Sequence, residues 1–319
     1  MKEITITENE TGQRLDRFTR KLLKEAALSE IYKGIRKGDI KVNGKKSKEG
    51  YMLAIGDIVS LKNISIEPES APKKKIDKSG DINIVYEDEN IIIIDKPAGL
   101  LSHPQSVKDK DTLIHRVQHH IELSTGSNTS PTFSPALCNR LDRNTAGLVI
   151  AAKNYKSLKA INEMIRERHL KKLYLCIVKG STDINGEISS FLEKDETNRK
   201  AFLSDDADDR GKESKTYYEK KSDNGEYSLL FVELVTGRFH QIRAHLASID
   251  HPIIGDVKYG DKKVNEYFRN KFELNHQLLI AHIISFENPP TELQYLKNKI
   301  WHSSIPKAYR GIVKFLFGQ

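Results

Sequence analysis

The chain reads as an α+β protein of two domains. Its 319 residues suit about two domains of roughly 100–200 residues each. The stretch from Ile66 to Gly80, with Pro68, Ser70, Pro72 and the run Lys73-Lys74-Lys75, has no apolar periodicity and is rich in proline, serine and charge. Residues 63–80 therefore read as a linker between a small domain, 1–62, and a larger one, 81–319. Beyond Asp81, strand-like runs alternate with only a few helical stretches, which is the α+β pattern.

In chain order, Met1-Lys2-Glu3-Ile4 leads into a strand-like alternation and not into a signal peptide. Arg14-Leu15-Asp16-Arg17-Phe18 opens a helix. Leu28-Ser29 offers an N-cap for a second helix, which runs to Lys37 and stops at Gly38. Asp39 to Lys45 predicts a short strand entering an Asn43-Gly44 turn, and Leu53 to Val59 predicts another turn and strand. Past the linker, the run Ile91 to Ile94 is the most apolar in the chain and far short of a membrane span. Ser124 to Ser134 predicts a polar loop. Leu148 to Ala152 follows the edge of a strand, and Leu158 to Glu167 a helix with Leu158, Ile161 and Ile165 on one face. Lys172 to Gly180 and Tyr227 to Val235 predict strands; the second ends at Thr236-Gly237, where a polar, cation-rich segment begins. No repeat at a solenoid period is visible.

Composition points to the class of partner. With 52 Lys+Arg against 44 Asp+Glu, a formal charge of +8 and a pI near 9.1, a polyanion is favoured. The 38% hydrophobic content is enough for a real core. Residues 1–62 hold 14 Lys+Arg against 9 Asp+Glu, a net +5. Lys33, Arg36, Lys37, Lys41, Lys45, Lys46 and Lys48 concentrate on the second helix and the hairpin, as in a clamp for a phosphate backbone. A solvated charged face is the plainer alternative. Arg14, Lys33, Arg36, Lys37, Lys41, Asn43 and Lys45 are the candidates for contact with such a backbone. The two cysteines, Cys138 and Cys176, imply no disulfide framework, which suits a reducing, cytoplasmic setting.

The most informative segment is Asn139-Arg140-Leu141-Asp142-Arg143-Asn144-Thr145-Ala146-Gly147. An arginine on each side of Asp142 favours its ionised form, and Gly147 lets a backbone pass close by. Taken alone, Asp142 reads more simply as a turn cap or a surface ion pair. Downstream, however, come Thr236-Gly237-Arg238-Phe239-His240-Gln241-Ile242-Arg243-Ala244-His245, then His251-Pro252-Ile253-Ile254-Gly255-Asp256 and Tyr259-Gly260. His240, His245 and His251 do not have the i,i+4 spacing of two metal ligands on one helical face, and no metal is expected. His119-His120 reads as a solvated helix end.

Upstream stand Val85-Tyr86-Glu87-Asp88 and the block Ile91 to Pro104 with Asp95-Lys96-Pro97-Ala98-Gly99-Leu100-Leu101-Ser102, and Lys172-Leu173-Tyr174 to Gly180 lies between the Asp142 and Arg243 segments. These four blocks, taken in chain order, resemble the RluA/RluC family of ribosomal-RNA pseudouridine synthases from about Ile82 to the C-terminal region. Residues 1–62, including the Gly56-Asp57 turn, are similar to the S-four-like RNA-binding domain that commonly precedes that catalytic domain. The resemblance implies a catalytic domain on a mostly antiparallel mixed sheet. It also implies pseudouridine formation without cofactor or metal: the bond from the ribose anomeric carbon to uracil nitrogen 1 is broken, and the base is rejoined through carbon 5. Asp142 is then the catalytic carboxylate, by proton abstraction or by covalent attack; the sequence leaves both open. Arg243 would keep it ionised against desolvation, and Tyr174 would stack on the uracil. Arg140, Leu141, Arg143, Thr145, Gly147, His240, Gln241 and Ile242 would bind substrate.

The chain departs from the family, which usually has His, Asp or Glu, and Ser where Asn139, Asn144 and Ala146 stand here, and often Asn where Asp95 stands; changed rate or preference is expected. The segments Ala27 to Tyr32 and Gly34 to Gly38 most resemble the RluC-like branch, which points to uridines of large-subunit ribosomal RNA. Transfer RNA is the alternative substrate, and a non-catalytic RNA-binding assembly factor the alternative function. Intact Asp142, Tyr174 and Arg243 favour the enzyme. A monomer is the default.

Overall fold

The computed structural model describes residues 2–23, 26–62, 80–125, 130, 132–195, 197–204 and 211–318. Residues 63–79 of the expected linker, and 126–129 and 131 of the expected loop, lie outside them.

Five elements form the N-terminal unit: β1 (Lys2–Thr5), α1 (Leu15–Leu22), α2 (Leu28–Lys37), β2 (Ile40–Val42) and β3 (Ile58–Leu61). The strands make an antiparallel sheet in the order β1-β3-β2. Leu15, Phe18, Ile31, Ile35, Ile40, Val59 and Leu61 close a core of its own between sheet and helices. Gly38 ends α2 in the left-handed region at φ 84°, which glycine adopts without a Cβ penalty. Asn43 and Gly44 both have positive φ, the pattern of a type I′ hairpin turn. The N-cap of α2 is Ala27, not Ser29: the Glu30 carboxylate accepts the Ala27 N–H at 3.3 Å, so the backbone is capped from the first turn and the helix starts earlier.

The remaining elements are β4 (Ile84–Glu87), β5 (Ile91–Lys96), α3 (Leu113–Thr125), β6 (Ala136–Leu137), β7 (Ala146–Ala152), α4 (Tyr155–Arg166), β8 (Leu170–Lys179), β9 (Asn185–Asp195), β10 (Lys200–Ser204), β11 (Lys212–Asp223), β12 (Tyr227–Leu234), α5 (Gln241–Ser248), α6 (Lys262–Phe272), β13 (Leu279–Phe286), β14 (Ile300–His302) and α7 (Lys307–Phe317). The sheet runs β10-β9-β11-β12-β8-β13-β7-β5-β4, with β14 paired to β13 and β6 to β7. Every pairing is antiparallel except β7 with β13. The fold is α+β on a mostly antiparallel mixed sheet.

Both faces of the central strands are covered, which explains their unbroken apolar runs. Ile92 and Ile94 of β5, with Val149 and Ala151 of β7, pack with α3 residues Leu113 and Val117. Their neighbours Ile91, Ile93, Leu148 and Ile150 pack with α4 residues Ile161 and Met164. The same parity divides β8: Tyr174, Cys176 and Val178 join Ile242 and Leu246 of α5, whereas Leu175 and Ile177 join Phe268 of α6 and Ile312 of α7. Successive strand residues point to opposite faces, so Tyr174 lies on the face that also carries α5.

Other expectations need correction. His119 and His120 lie inside α3, and His120 Nε2 sits 2.9 Å from the Glu87 carboxylate, so the pair is not a solvated helix end. Helix α4 begins at Tyr155, three residues early, because Asn154 caps it by accepting the Ser157 N–H at 2.8 Å. The cation-rich segment after Val235 turns into a helix, α5. Among the described residues no helix is long and apolar enough to cross a membrane.

Candidate active site

The loop between β6 and β7 is fastened on several sides, and it carries Asp142. Asn139 accepts the Ile150 N–H at 2.8 Å, closing a backbone group of β7. Ser102 holds Leu141 twice: its hydroxyl donates to the Leu141 carbonyl at 2.8 Å and accepts the Leu141 N–H at 3.1 Å. Gln277 donates to the Thr145 hydroxyl at 3.1 Å. The Thr145 N–H donates to the Asp142 carbonyl, which makes the turn.

Lys96, wholly buried, donates to the carbonyls of Pro97 (2.9 Å), Leu100 (2.8 Å) and Arg143 (3.1 Å). Burial depresses its amine to about 7, against the pull of Asp142. The three carbonyls engage all three N–H groups of an ammonium, which a neutral amine could not supply, so this geometry favours the charged form.

Facing the loop is the start of α5. His240 takes the N-cap position in the left-handed region, φ 53°. The Gln241 side chain is fully engaged: its oxygen accepts from Thr236 Oγ1 (2.8 Å) and Arg238 N (3.0 Å), and its amide donates to Lys215 O and Thr216 Oγ1, both at 2.9 Å. These bonds tie the helix start to β11. One turn on, Arg243 grips Asp256 with two parallel bonds, Nε to Oδ2 at 2.7 Å and Nη2 to Oδ1 at 2.8 Å. Its remaining Nη1 reaches Asp142 Oδ2 at 2.9 Å. Burial alone would lower the guanidinium pKa, but the bonds to Asp256 and the charges of Asp256 and Asp142 hold it above its ordinary value. Asp256 is completely buried. Burial would raise its pKa, yet the Arg243 partnership keeps it below the usual carboxylate range.

Asp142, Tyr174, Arg243 and His240 line one cavity of about 690 Å³. Burial, then the charge of Asp142, holds the Tyr174 phenol well above its ordinary pKa. Its hydroxyl has no hydrogen-bond partner among the described residues, and the ring forms part of the cavity wall. A neighbouring cavity of about 550 Å³ shares Arg140, Leu141, Asp142, Phe239, His240 and Arg243 as a common wall. Arg166, Arg168, Lys172, Lys194 and Arg238 line the first, and Arg143, Arg199 and Lys258 the second. Among the described residues, Asp109 and Asp142 are the only carboxylates in either lining.

The structure brings most of the expected substrate-binding residues to this trench. Arg140, Leu141, Thr145, His240, Gln241 and Ile242 line the first cavity and Arg143 the second. Gly147 stands apart from them. It lines neither, and a Cβ there would stand 2.2 Å from the Ala281 carbonyl oxygen; the residue serves the parallel contact of β7 with β13. Gln241 and Ile242 contribute wall, with the amide of one engaged in hydrogen bonds and the other in the core.

In the N-terminal unit, Lys33, Arg36, Lys37 and Lys45 are exposed and Lys41 half-buried. Arg14 is paired with Asp16 at 2.8 Å. Asn43 donates to Asp57 at 2.7 Å and accepts from Ile58 N at 2.8 Å, so its amide builds the hairpin. The three histidines part company: His245 bonds Thr216, Ser190 and Ser214, and His251 bonds the Lys179 carbonyl. Sequence reasoning passed over Lys96, Ser102, Asp256, Tyr259 and Gln277. Lys96, Ser102, Asp256 and Tyr259 lie within the family-like segments; Gln277 carried no signal beyond position.

The geometry suits a carboxylate acting on a nucleotide taken out of its stack: an anion on a fixed guanidinium, an aromatic ring in the same cavity, and cations along the approach. A family model described as RNA pseudouridylate synthase matches residues 90–248. The chain is 32% identical to the ribosomal large subunit pseudouridine synthase C of Buchnera aphidicola, covering 98% of this chain and 96% of that one. To the ribosomal large subunit pseudouridine synthase D of Borreliella burgdorferi it is 34% identical, over 81% and 78% of the two chains. Among solved structures it resembles human RNA pseudouridylate synthase domain containing 4 in fold, at a TM-score of 0.59 and 21% identity, over 73% of this chain and 92% of that one. With close to full-length relatives above 30% identity, the chain belongs to the RluA/RluC family of RNA pseudouridine synthases, enzymes that isomerise uridine within RNA.

Proposed function

We propose that this chain converts uridines of large-subunit ribosomal RNA to pseudouridine, with Asp142 as the reacting carboxylate. In this reading residues 81–319 are the catalytic domain, 1–62 an S-four-like RNA-binding domain, and 63–80 the linker between them; the enzyme works in the cytoplasm. The observation that carries the reading is Asp142 on an arginine that is itself locked, inside a trench whose charged lining, among the described residues, is otherwise almost all cationic. The relatives are named for the ribosomal large subunit, which supports the choice of RNA. The separate sheet and core of residues 2–61 support the division.

The chemistry asks for little else. The glycosidic bond to nitrogen 1 breaks, the base turns, a bond forms from the anomeric carbon to carbon 5, and the proton on carbon 5 leaves as nitrogen 1 gains one. Product is an isomer of substrate, so no electrons are exchanged. Asp142 takes part by removing the proton beside the anomeric carbon or by covalent attack. Arg243 holds the carboxylate, and Tyr174 offers its ring to the base and its hydroxyl to the proton on carbon 5.

Pseudouridine mapping on unmodified large-subunit RNA, incubated with wild type or Asp142→Asn, tests this. New pseudouridine with wild type alone is expected, and its position names the target. Product from both proteins would remove Asp142 from the chemistry. Product on transfer RNA only would overturn the substrate.

A further inference from the structure

The ring of His240 is held in a way that the family reading does not require. Its Nδ1 lies 2.9 Å from the Tyr259 hydroxyl, and its Nε2 lies 3.6 Å from Asp142 Oδ2. Phe239 stacks on its face, with ring centroids 3.7 Å apart and planes at 20°. The Tyr259 oxygen already accepts the Ala201 N–H of β10 at 2.6 Å. No other acceptor for the phenol proton exists among the described residues, so the arrangement that leaves no proton without a partner has Tyr259 donating to His240 Nδ1. A neutral imidazole then carries its own proton on Nε2, facing the carboxylate.

Neutrality follows from the surroundings. The ring is about nine-tenths shielded from water, at 9% exposure. Arg243 and Lys258 oppose a positive charge on it, whereas Asp142 and Asp256 favour one. Burial outweighs the rest and drives the imidazole down to about 4. Tyr259 keeps its proton, because burial pushes the phenol up to about 12.

Arg243 and His240 both aim at Oδ2 of Asp142. No donor reaches Oδ1 among the described residues, so Oδ1 is the oxygen left for the nucleotide. We propose that His240 is a positioning residue: a neutral imidazole locked as the Nε2–H tautomer by the Tyr259 hydroxyl, giving Asp142 a second, uncharged donor beside Arg243. The proposal rests on Asp142 being the reacting carboxylate. In either chemical route the carboxylate gives up its charge, by taking a proton or by forming an ester, and later regains it. A neutral donor can follow both changes, and the 3.6 Å approach can tighten once a nucleotide closes the site, as catalytic contacts often do.

Two measurements test it. Long-range nitrogen–proton NMR on the ¹⁵N-histidine-labelled full chain at pH 7 should show His240 with Nε2 protonated and Nδ1 bare, and Tyr259→Phe should shift that pattern. An Nδ1–H tautomer, or an imidazolium, in wild type would overturn the proposal. In single-turnover assays, His240→Gln places an amide donor near the Nε2 position and should stay within about threefold of wild type, whereas His240→Met should be about tenfold slower or more with RNA affinity nearly unchanged. Equal rates for Gln and Met would also overturn it. Should the variants fail to fold, the wild-type spectrum alone decides. Full activity in Asp142→Asn would sink the functional reading of the site while leaving the tautomer result standing.

Discussion

Arg243 can hold Asp142 because Asp256 holds Arg243. Two of its three nitrogens are taken by a completely buried carboxylate, which also accepts the Lys258 N–H at 2.8 Å. Replacing Asp256 by Asn turns one accepting oxygen into a donor against a donor and leaves a buried guanidinium short of counter-charge. The expected cost is about 3–5 kcal/mol of stability, read from the urea midpoint. Turnover should fall at least about 100-fold in whatever folds, because the arginine loses its aim. Acid should also loosen the molecule. Burial depresses both His240 and His245 to about 4 from an ordinary value near 6.5. Between those values the unfolded chain binds protons that the folded chain refuses, so stability is intact above about pH 6.5 and is lost as pH falls toward 4. Urea midpoints at pH 7 and pH 5 check this, and His245→Gln, which keeps a polar group among Ser190, Ser214 and Thr216, should flatten the drop.

At the scale of elements, β7 is the tightest seam. Gly147 has φ 112°, and any side chain there would meet the Ala281 backbone. Gly147→Ala combines backbone strain with a clash that only strand separation relieves; a loss of about 3 kcal/mol or more is expected, visible as a lowered melting temperature or insoluble protein. The central strands could be read from sequence because they are apolar on both faces: Ile91 to Ile94 and Leu148 to Ala152 allow nothing else of that length. Strands β9 to β11 could not. Their inward face is partly polar, as in Lys212 to Asp223, where the buried residues are Ser214, Thr216 and Tyr218, and Lys, Glu and Ser there resemble any surface segment. Helix α5 is only eight residues long and enters through a left-handed histidine, so neither periodicity nor a capping residue announced it. The Asp142, Tyr174 and Arg243 positions came from the resemblance. Their mutual geometry came only from the fold, since the ion pair joins residues 101 apart in the chain.

At the scale of the whole molecule, charge is distributed for a long polyanion. Cations line the trench on both sides of Asp142, and Lys33, Arg36 and Lys37 stand exposed on α2. If those three each meet a phosphate, the triple alanine variant should lower the slope of log affinity against log salt by about 2 to 3, measured by fluorescence anisotropy on ribosomal RNA fragments. An unchanged slope would take α2 out of the RNA contact. The position of β13 has a consequence for how the protein is made. This strand, at Leu279–Phe286, lies between β8 and β7, so a segment synthesised after both of its neighbours fills the middle of the sheet. Until then the growing chain has two unpaired strand edges and no seat for the Ala281 contact with Gly147. The reading frame itself therefore sets the time at which the enzyme can first act, and premature termination before residue 279 would yield a sticky, inert fragment in place of a weaker enzyme.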